Sequence, residues 1–399
     1  MRRSASSAVV RSSAGPTLRG AEEVAESQFT VRSVPRFLGE GELGYLPRSM
    51  RENLKYFTTS FVVTALGLVA GAAVGWYYRH TGEGILATVF IVAVLSVLEV
   101  SLSFDNAVVN ASVLRNMTPL WRHRFLTWGI AIAVFGTRLV FPLVVVSVVA
   151  WLNPWEALRL AALEPGEYAR ILTSAHVPLG AFGGAFLGMV CLKYFFDSDK
   201  DIHWIVPVER QLSRLGKFEA GALGVMMVAL YTFSRFVPAA EAHAFLVAGI
   251  FGLVTFIVVD GIGAAMEVDE DAMKNVHRAS AASFLYLEVL DASFSFDGVI
   301  GAFALTNNLF IIAIGLGIGA MFVRSLTVML VERGTLDAYR FLEHGAFWAI
   351  GALALLMLVG TVMDVPEAIT GLIGAAFIGL SVWSSISYKR KAAGSAAAE

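Results

Sequence analysis

Two stretches of this chain set carboxylates among residues apolar enough for a lipid interior. Residues 96–113 read SVLEVSLSFDNAVVNASV and residues 285–304 read LYLEVLDASFSFDGVIGAFA. Glu99-Val-Ser-Leu-Ser-Phe-Asp105 aligns with Asp291-Ala-Ser-Phe-Ser-Phe-Asp297, so that Ser101 and Ser103 match Ser293 and Ser295. An ionised side chain at the centre of a bilayer costs at least ~2.5–3.5 kcal/mol, and such residues usually mark an ion or proton path. Glu99, Asp105, Glu288, Asp291 and Asp297, with the Asn106 amide and the serine hydroxyls, form an oxygen-rich donor set. Hard divalent cations, calcium, magnesium or manganese, take such donors. A doubly charged ion would also offset carboxylates that otherwise need protons or cationic partners. The seven histidines are scattered without paired ligand spacing and Cys191 is the only cysteine, which disfavours zinc, copper or a thiolate cluster.

Helical geometry limits how these groups can meet. In one unbroken helix Glu99, Ser103, Asn106 and Asn110 make a single polar stripe. Asp105 lies about 240° from Glu99 and faces the side of Ser101. In the second copy Glu288, Asp291 and Ser295 share one face, while Ser293 and Asp297 share another. No straight helix therefore points every acid at one place. Either the helices unwind near the SFD triplets, or one acid serves the site while another pairs with Arg138 or Arg324. A mixture is expected, with unwound backbone offering carbonyls, four or five acids turned inward and the two arginines neutralising the surplus.

The elements that must position these residues are membrane spans. Hydrophobic residues make up 57% of the 399 positions and charged ones only 16%, the balance of an all-α polytopic membrane protein. Ten apolar runs stand out, roughly 57–78, 85–113, 126–151, 177–196, 220–236, 243–264, 280–306, 309–331, 345–362 and 367–386. Most approach the ~20 residues that cross the hydrocarbon. With ten spans, 24 of the Lys and Arg residues fall on the side of the N-terminus and four on the other, which puts both termini in the cytoplasm. Eight or nine spans with a re-entrant segment is the competing count, because 220–236 is short. Gly180, Gly184 and Gly188 give the fourth span a small-residue face, read as packing within the chain. Asp260, at the inner end of the sixth, is a weaker candidate for the site.

The two motifs then lie in spans two and seven and run in opposite directions. That is the mark of an inverted-topology repeat, whose shared site lies near the bilayer middle. The span after each motif carries one arginine, Arg138 and Arg324. The organisation expected is a mostly disordered cytoplasmic tail over 1–55, a first half over 56–236, a second half over 237–386, and a cytoplasmic tail over 387–399. The first twenty residues, with Arg and Ser and no acid, also have the look of an organelle transit peptide.

The stretches SLSFDNAVV, SFSFDGVIGAFALT and GAFLGMVCLKYF, with an arginine one span after each motif, resemble the TerC family of tellurium-resistance-associated membrane proteins in the LysE superfamily, and most closely its long branch. The similarity covers about residues 85–385. The resemblance implies a multi-spanning metal-ion transporter, with manganese efflux the best supported activity. Asp105 and Asn106 match the family's first acidic motif and Asp297 its second, while Glu99 and Asp291 take the preceding acidic positions. The second motif reads Asp-Gly here where the family has Asp-Asn or Asp-Ser, and the chain carries a long tail and extra spans.

The leading expectation is a divalent-cation transporter, manganese first, in an inner or plasma membrane. Its partners are the metal ion and the lipid bilayer, with a homo-oligomer left open. No basic face gathers the 30 Lys and Arg, so no nucleic-acid partner is expected. No enzymatic role is expected, although Asp105 and Asp297 could nominally form the proton-sharing pair of an intramembrane aspartyl hydrolase. A membrane scaffold in metal or tellurite stress, moving nothing, is the third reading.

Overall fold

A long apolar segment in lipid must satisfy its backbone internally, and in this chain helices do so throughout. The computed structural model describes residues 52–198, 200–216, 220–266 and 272–396, with backbone alone at 126, 130, 263–266, 272–279, 296, 297, 367, 368 and 392–396. The expectations for the N-terminal tail through residue 51 lie outside the described residues. Among the described residues every regular element is helical.

The chain enters with α1 (Thr58–Arg79), which stops where His80 turns left-handed, φ 50°. The Thr81 side chain then accepts from Gly84 N–H, 3.1 Å, and starts α2 (Gly82–Leu102). Next come α3 (Phe104–Leu114) and α4 (Pro119–Ala131). A π-helical segment (Ile132–Val140) leads from α4 into α5 (Phe141–Val149). Two short helices follow, α6 (Pro154–Leu163), opened by a capping box between Asn153 and Glu156, and α7 (Pro165–Ser174). Then come α8 (His176–Phe196), α9 (Val206–Leu215), α10 (Gly221–Ser234), α11 (Ala242–Met266) and α12 (Ala272–Ala302). The Asn308 side chain caps α13 (Leu309–Glu332) by accepting from Phe310 and Ile311 N–H. The chain closes with α14 (Leu342–Gly360) and α15 (Glu367–Ala396).

Among the described residues eight helices are long and apolar enough to cross a membrane, so this is an integral, polytopic helical membrane protein. They coincide with eight of the ten runs seen in the sequence. The other two runs also form helices, with different character. Helix α10 is apolar but has only 14 residues, and α12 has 31 residues but carries Glu288, Asp291 and Asp297. Helix α15 runs past the predicted span end at 386 to Ala396.

Helices α8 and α13 are the most enclosed, each 72% buried along its apolar stretch, whereas α1 is 11% buried. The centre is therefore built around α8 and α13. Helix α8 packs between α11 and α14, and α13 packs between α2 and the π-helical segment. The small-residue face of α8 works within the chain, as expected: a side chain on Gly184 would begin 3.0 Å from the Ala354 carbonyl oxygen of α14. Helix α9 is tied to α14 by the buried Glu209, whose carboxylate accepts from Trp348 Nε1, 3.0 Å, and from the N–H groups of Trp204 and Ile205.

Gly252 of α11 sets the spacing to α8, because a methyl there would lie 3.1 Å from the Ala185 Cβ and press on the Phe182 carbonyl, neither of which can swing aside. Gly252→Ala is expected to cost ~1–3 kcal/mol, the usual size of overpacking. Thermal unfolding of the purified variant should show this as a lower midpoint.

Candidate functional site

The first motif is broken in the place where the acids need it. Helix α2 ends at Leu102, Ser103 leaves helical geometry with φ −104° and ψ 19°, and α3 starts afresh at Phe104. The break removes the conflict that a straight helix would impose. Glu99 and Ser103 from one side of it and Asp105 and Asn106 from the other line one cavity of about 30 Å³, closed by Phe294 and Gly298 of α12 and by Thr370 and Gly374 of α15. Asp105 stands in the first turn of α3, at the positive end of that helix's dipole. The second motif differs: α12 runs unbroken through it. Asp297 lies in that helix, with its side chain outside the described residues.

Arg138 reaches the first motif from the π-helical segment. Its Nη2 donates to Glu99 Oε1, and its Nη1 donates to the Ala133 carbonyl and to Thr137 Oγ1, the latter at 3.0 Å. Both members of the ion pair are 3% exposed. Ser103 Oγ donates to the same Glu99 oxygen, 3.2 Å. Arg324 of α13 is placed otherwise. Its guanidinium lies 4.0 Å above the Phe125 ring of α4, a cation–π contact, and its Nε and Nη2 have no hydrogen-bond partner among the described residues. Gly129 of α4 backs both Arg324 and Glu288, whose buried Oε1 is also without a partner.

These groups converge on a second small cavity. Glu99, Ser103 and Asn110 line it from one motif, Asp291 from the other, and Arg138 and Arg324 from the helices between. Its volume is about 20 Å³, room for one water-sized species. Asp291 shares this lining with Arg138, Arg324 and Asn110. The Oδ1 atoms of Asn106 and Asn110 are buried without partners among the described residues. Glu99 and Ser103 belong to both cavities and form the wall between them.

The remaining candidates lie apart. Glu288 and Ser293 face a largely apolar pocket of about 340 Å³ beside α5, α8 and α11, and Ser293 Oγ donates to the Val289 carbonyl, 2.9 Å. Ser295 is buried. Ser101 is exposed and spends its hydroxyl on the Val97 carbonyl, 2.8 Å, away from both acid cavities. Asp260 pairs with Lys193 on the wall of a pocket of about 950 Å³ between α8, α10, α11 and α12. Among the described residues no three His, Cys, Asp or Glu side chains gather closely enough to hold a metal ion. Of these acids Glu99 is held by an arginine, Arg138. Phe125, Gly129, Thr137 and Thr370 also belong to the site, and only Gly129 leaves a signal in the sequence: it precedes Arg138 by nine residues, as Gly315 precedes Arg324.

A family model described as a protein of unknown function, DUF475, matches residues 104–392. The chain belongs to the DUF475 family. The match begins at the helix break, so Asp105, Arg138, Asp291 and Arg324 all fall inside the DUF475 region, while Glu99 and α2 precede it. No curated protein and no solved structure matches the chain.

Proposed function

We propose that this protein carries a divalent cation across the membrane, manganese before calcium or magnesium, at a site between two inverted halves. The observation that carries the proposal is the shared cavity: Glu99 of one motif and Asp291 of the other line it together, with one arginine from each half. Glu99 and Asp291 share that cavity with Arg138 and Arg324, Asp105 lies across Glu99 in the neighbouring cavity, and Glu288 lies near Arg324 beside Gly129, so that acids outnumber arginines among the described residues and leave a negative surplus for a cation to offset. The cation takes the place of Arg138 at Glu99, and the arginine returns when it leaves. Manganese as the first choice, and efflux as the direction, rest on the resemblance to the TerC family.

Three sets of helix contacts support the inverted halves, although the closest packing of all, α8 on α11, has no comparable counterpart between α14 and α1. With α10 and α12 counted as the fifth and seventh of ten crossings, the second span packs on the eighth, and its counterpart is the seventh packing on the third. Helix α8 pairs with α10 as α14 pairs with α15, and α1 pairs with α2 as α11 pairs with α12. At residue level Ser96 Oγ donates to the Gly315 carbonyl, 3.0 Å, while Glu288, which aligns with Ser96, lies against Gly129, which aligns with Gly315. In this reading both termini are cytoplasmic and the membrane is an inner or plasma membrane.

The test is uptake by proteoliposomes of the purified chain, with manganese, calcium, magnesium and zinc in competition and with or without a pH gradient. Saturable manganese flux that calcium or magnesium reduces is the expected result. No flux of any of these ions above empty vesicles would overturn the proposal. One variant probes the arginine side of the site. A methyl on Gly129 would lie 2.5 Å from Glu288 Oε1 and 2.8 Å from Arg324 Nη2, the free ends of flexible side chains. Gly129→Ala is therefore expected to fold normally and to lose flux severalfold, as measured on vesicles of equal protein content.

A further inference from the structure

We infer that the chamber around Asp105 opens toward the face bearing the α7–α8 and α14–α15 connections, through a constriction at Thr370, with Asp364 and His176 at the mouth. Two hollows meet at this residue. The inner one is the acid cavity of about 30 Å³. The outer one, of about 310 Å³, is lined by Thr173, His176, Met357 and Asp364 among others, and Thr370 is the one residue that lines both. Both hollows also follow the same three helices. Gly374 and Thr370 are one turn apart on α15, Leu353 and Met357 one turn apart on α14, and Gly298 and Ile300 two residues apart on α12. The two spaces are thus consecutive along the helix axes, separated by about one turn, ~5.4 Å.

The lining changes character along the way. Inside are the carboxylates of Glu99 and Asp105, glycines at 298 and 374, and the Thr370 hydroxyl. Outside are Asp364, exposed, and His176, whose Nδ1 lies 3.1 Å from the Thr173 carbonyl oxygen. An acid at the mouth of a low-dielectric passage raises the local concentration of cations over anions. On the opposite side of the bundle the large pocket beside Lys193 and Asp260 shares no lining residue with either acid cavity. The way out is therefore nearer to being open at Thr370 than at Lys193.

The inference rests on the proposed function in taking a cation as the traveller and in placing this face outside by way of cytoplasmic termini. The route itself is read by labelling. In a Cys191→Ala background, single cysteines at Thr370, Met357 and Asp364, with lipid-facing Leu372 as a control, are treated in intact spheroplasts with membrane-impermeant thiosulfonates. One reagent is cationic and the other is an anion of similar size. Thr370→Cys and Met357→Cys should be modified from outside and the control should not. The cationic reagent should react severalfold faster at Thr370→Cys, and Asp364→Asn should reduce that preference. An unreactive Thr370→Cys beside a reactive Asp364→Cys would overturn the route, as would equal rates for the two reagents. If labelling follows the expected pattern while wild-type vesicles carry no cation, the route stands and the transport reading falls. If cation flux is present and Thr370→Cys stays unlabelled, the transport reading stands and the route falls.

Discussion

Arg138→Ala is expected to destabilise the protein by ~3–5 kcal/mol, the usual effect of removing one partner from a buried ion pair. Glu99 and Arg138 are each 3% exposed, and among the described residues the Glu99 oxygen that Arg138 holds has only the Ser103 hydroxyl besides. The variant leaves a carboxylate in the dry interior with one neutral donor. Most of the loss belongs to that stranded charge rather than to the strength of the pair, and this gives a second expectation. Glu99→Gln combined with Arg138→Met removes both charges while keeping the volume similar, and should recover most of the stability. Thermal unfolding in detergent separates the cases. A double variant no more stable than Arg138→Ala would mean that the pair holds the bundle by geometry and not by charge.

Asp105→Asn and Asp291→Asn should each lower cation flux at least ~10-fold, since even the outer partners of a bound metal give losses of that order. The two act differently. Asp105 lies in the inner cavity beside the Gly374 backbone, where an amide of the same shape fits, so the variant removes charge and leaves the passage unchanged. Asp291 shares its cavity with Arg138, Arg324 and Glu99, and neutralising it leaves Glu99 as the one carboxylate in the described lining of that cavity beside two guanidiniums. Asp291→Asn should therefore show the larger loss, and Asp291→Asn with Arg324→Gln should regain part of it by restoring the charge balance. The measurement is cellular manganese under overload together with vesicle flux. Accumulation equal to wild type in both single variants would remove the main support for the site.

Much of the helical plan is legible in the sequence because long apolar runs admit few structures in lipid. The pairing of Arg138 with an acid is legible too, since a guanidinium one span from an acid has little else to meet, whereas Arg324 lies over the Phe125 ring. Which acid Arg138 meets is not. That depends on the π-helical turn over 132–140, whose nearest sequence signals are Gly136 within it and Pro142 just beyond, and on the register of α2 against it, which is a matter of packing. Unwinding is expected at both SFD triplets and occurs at Ser103 alone. The triplets are identical, so the difference must come from the surroundings of each. The face a residue takes in an ideal helix is readable, as with Asn110, but the partner across that face is a matter of tertiary packing. Thr370 illustrates the limit: it is an ordinary threonine near the start of the last span until α12 and α14 are set beside it.

Glu99 forms the partition between the two small cavities, and a single carboxylate cannot neutralise a positive charge in both at once. Under the proposed transport, occupants of the two chambers would share this one carboxylate, so that an ion arriving beside Asp105 would weaken the hold on one beside Asp291. Such a partition would favour swapping one charge for another over carrying two together.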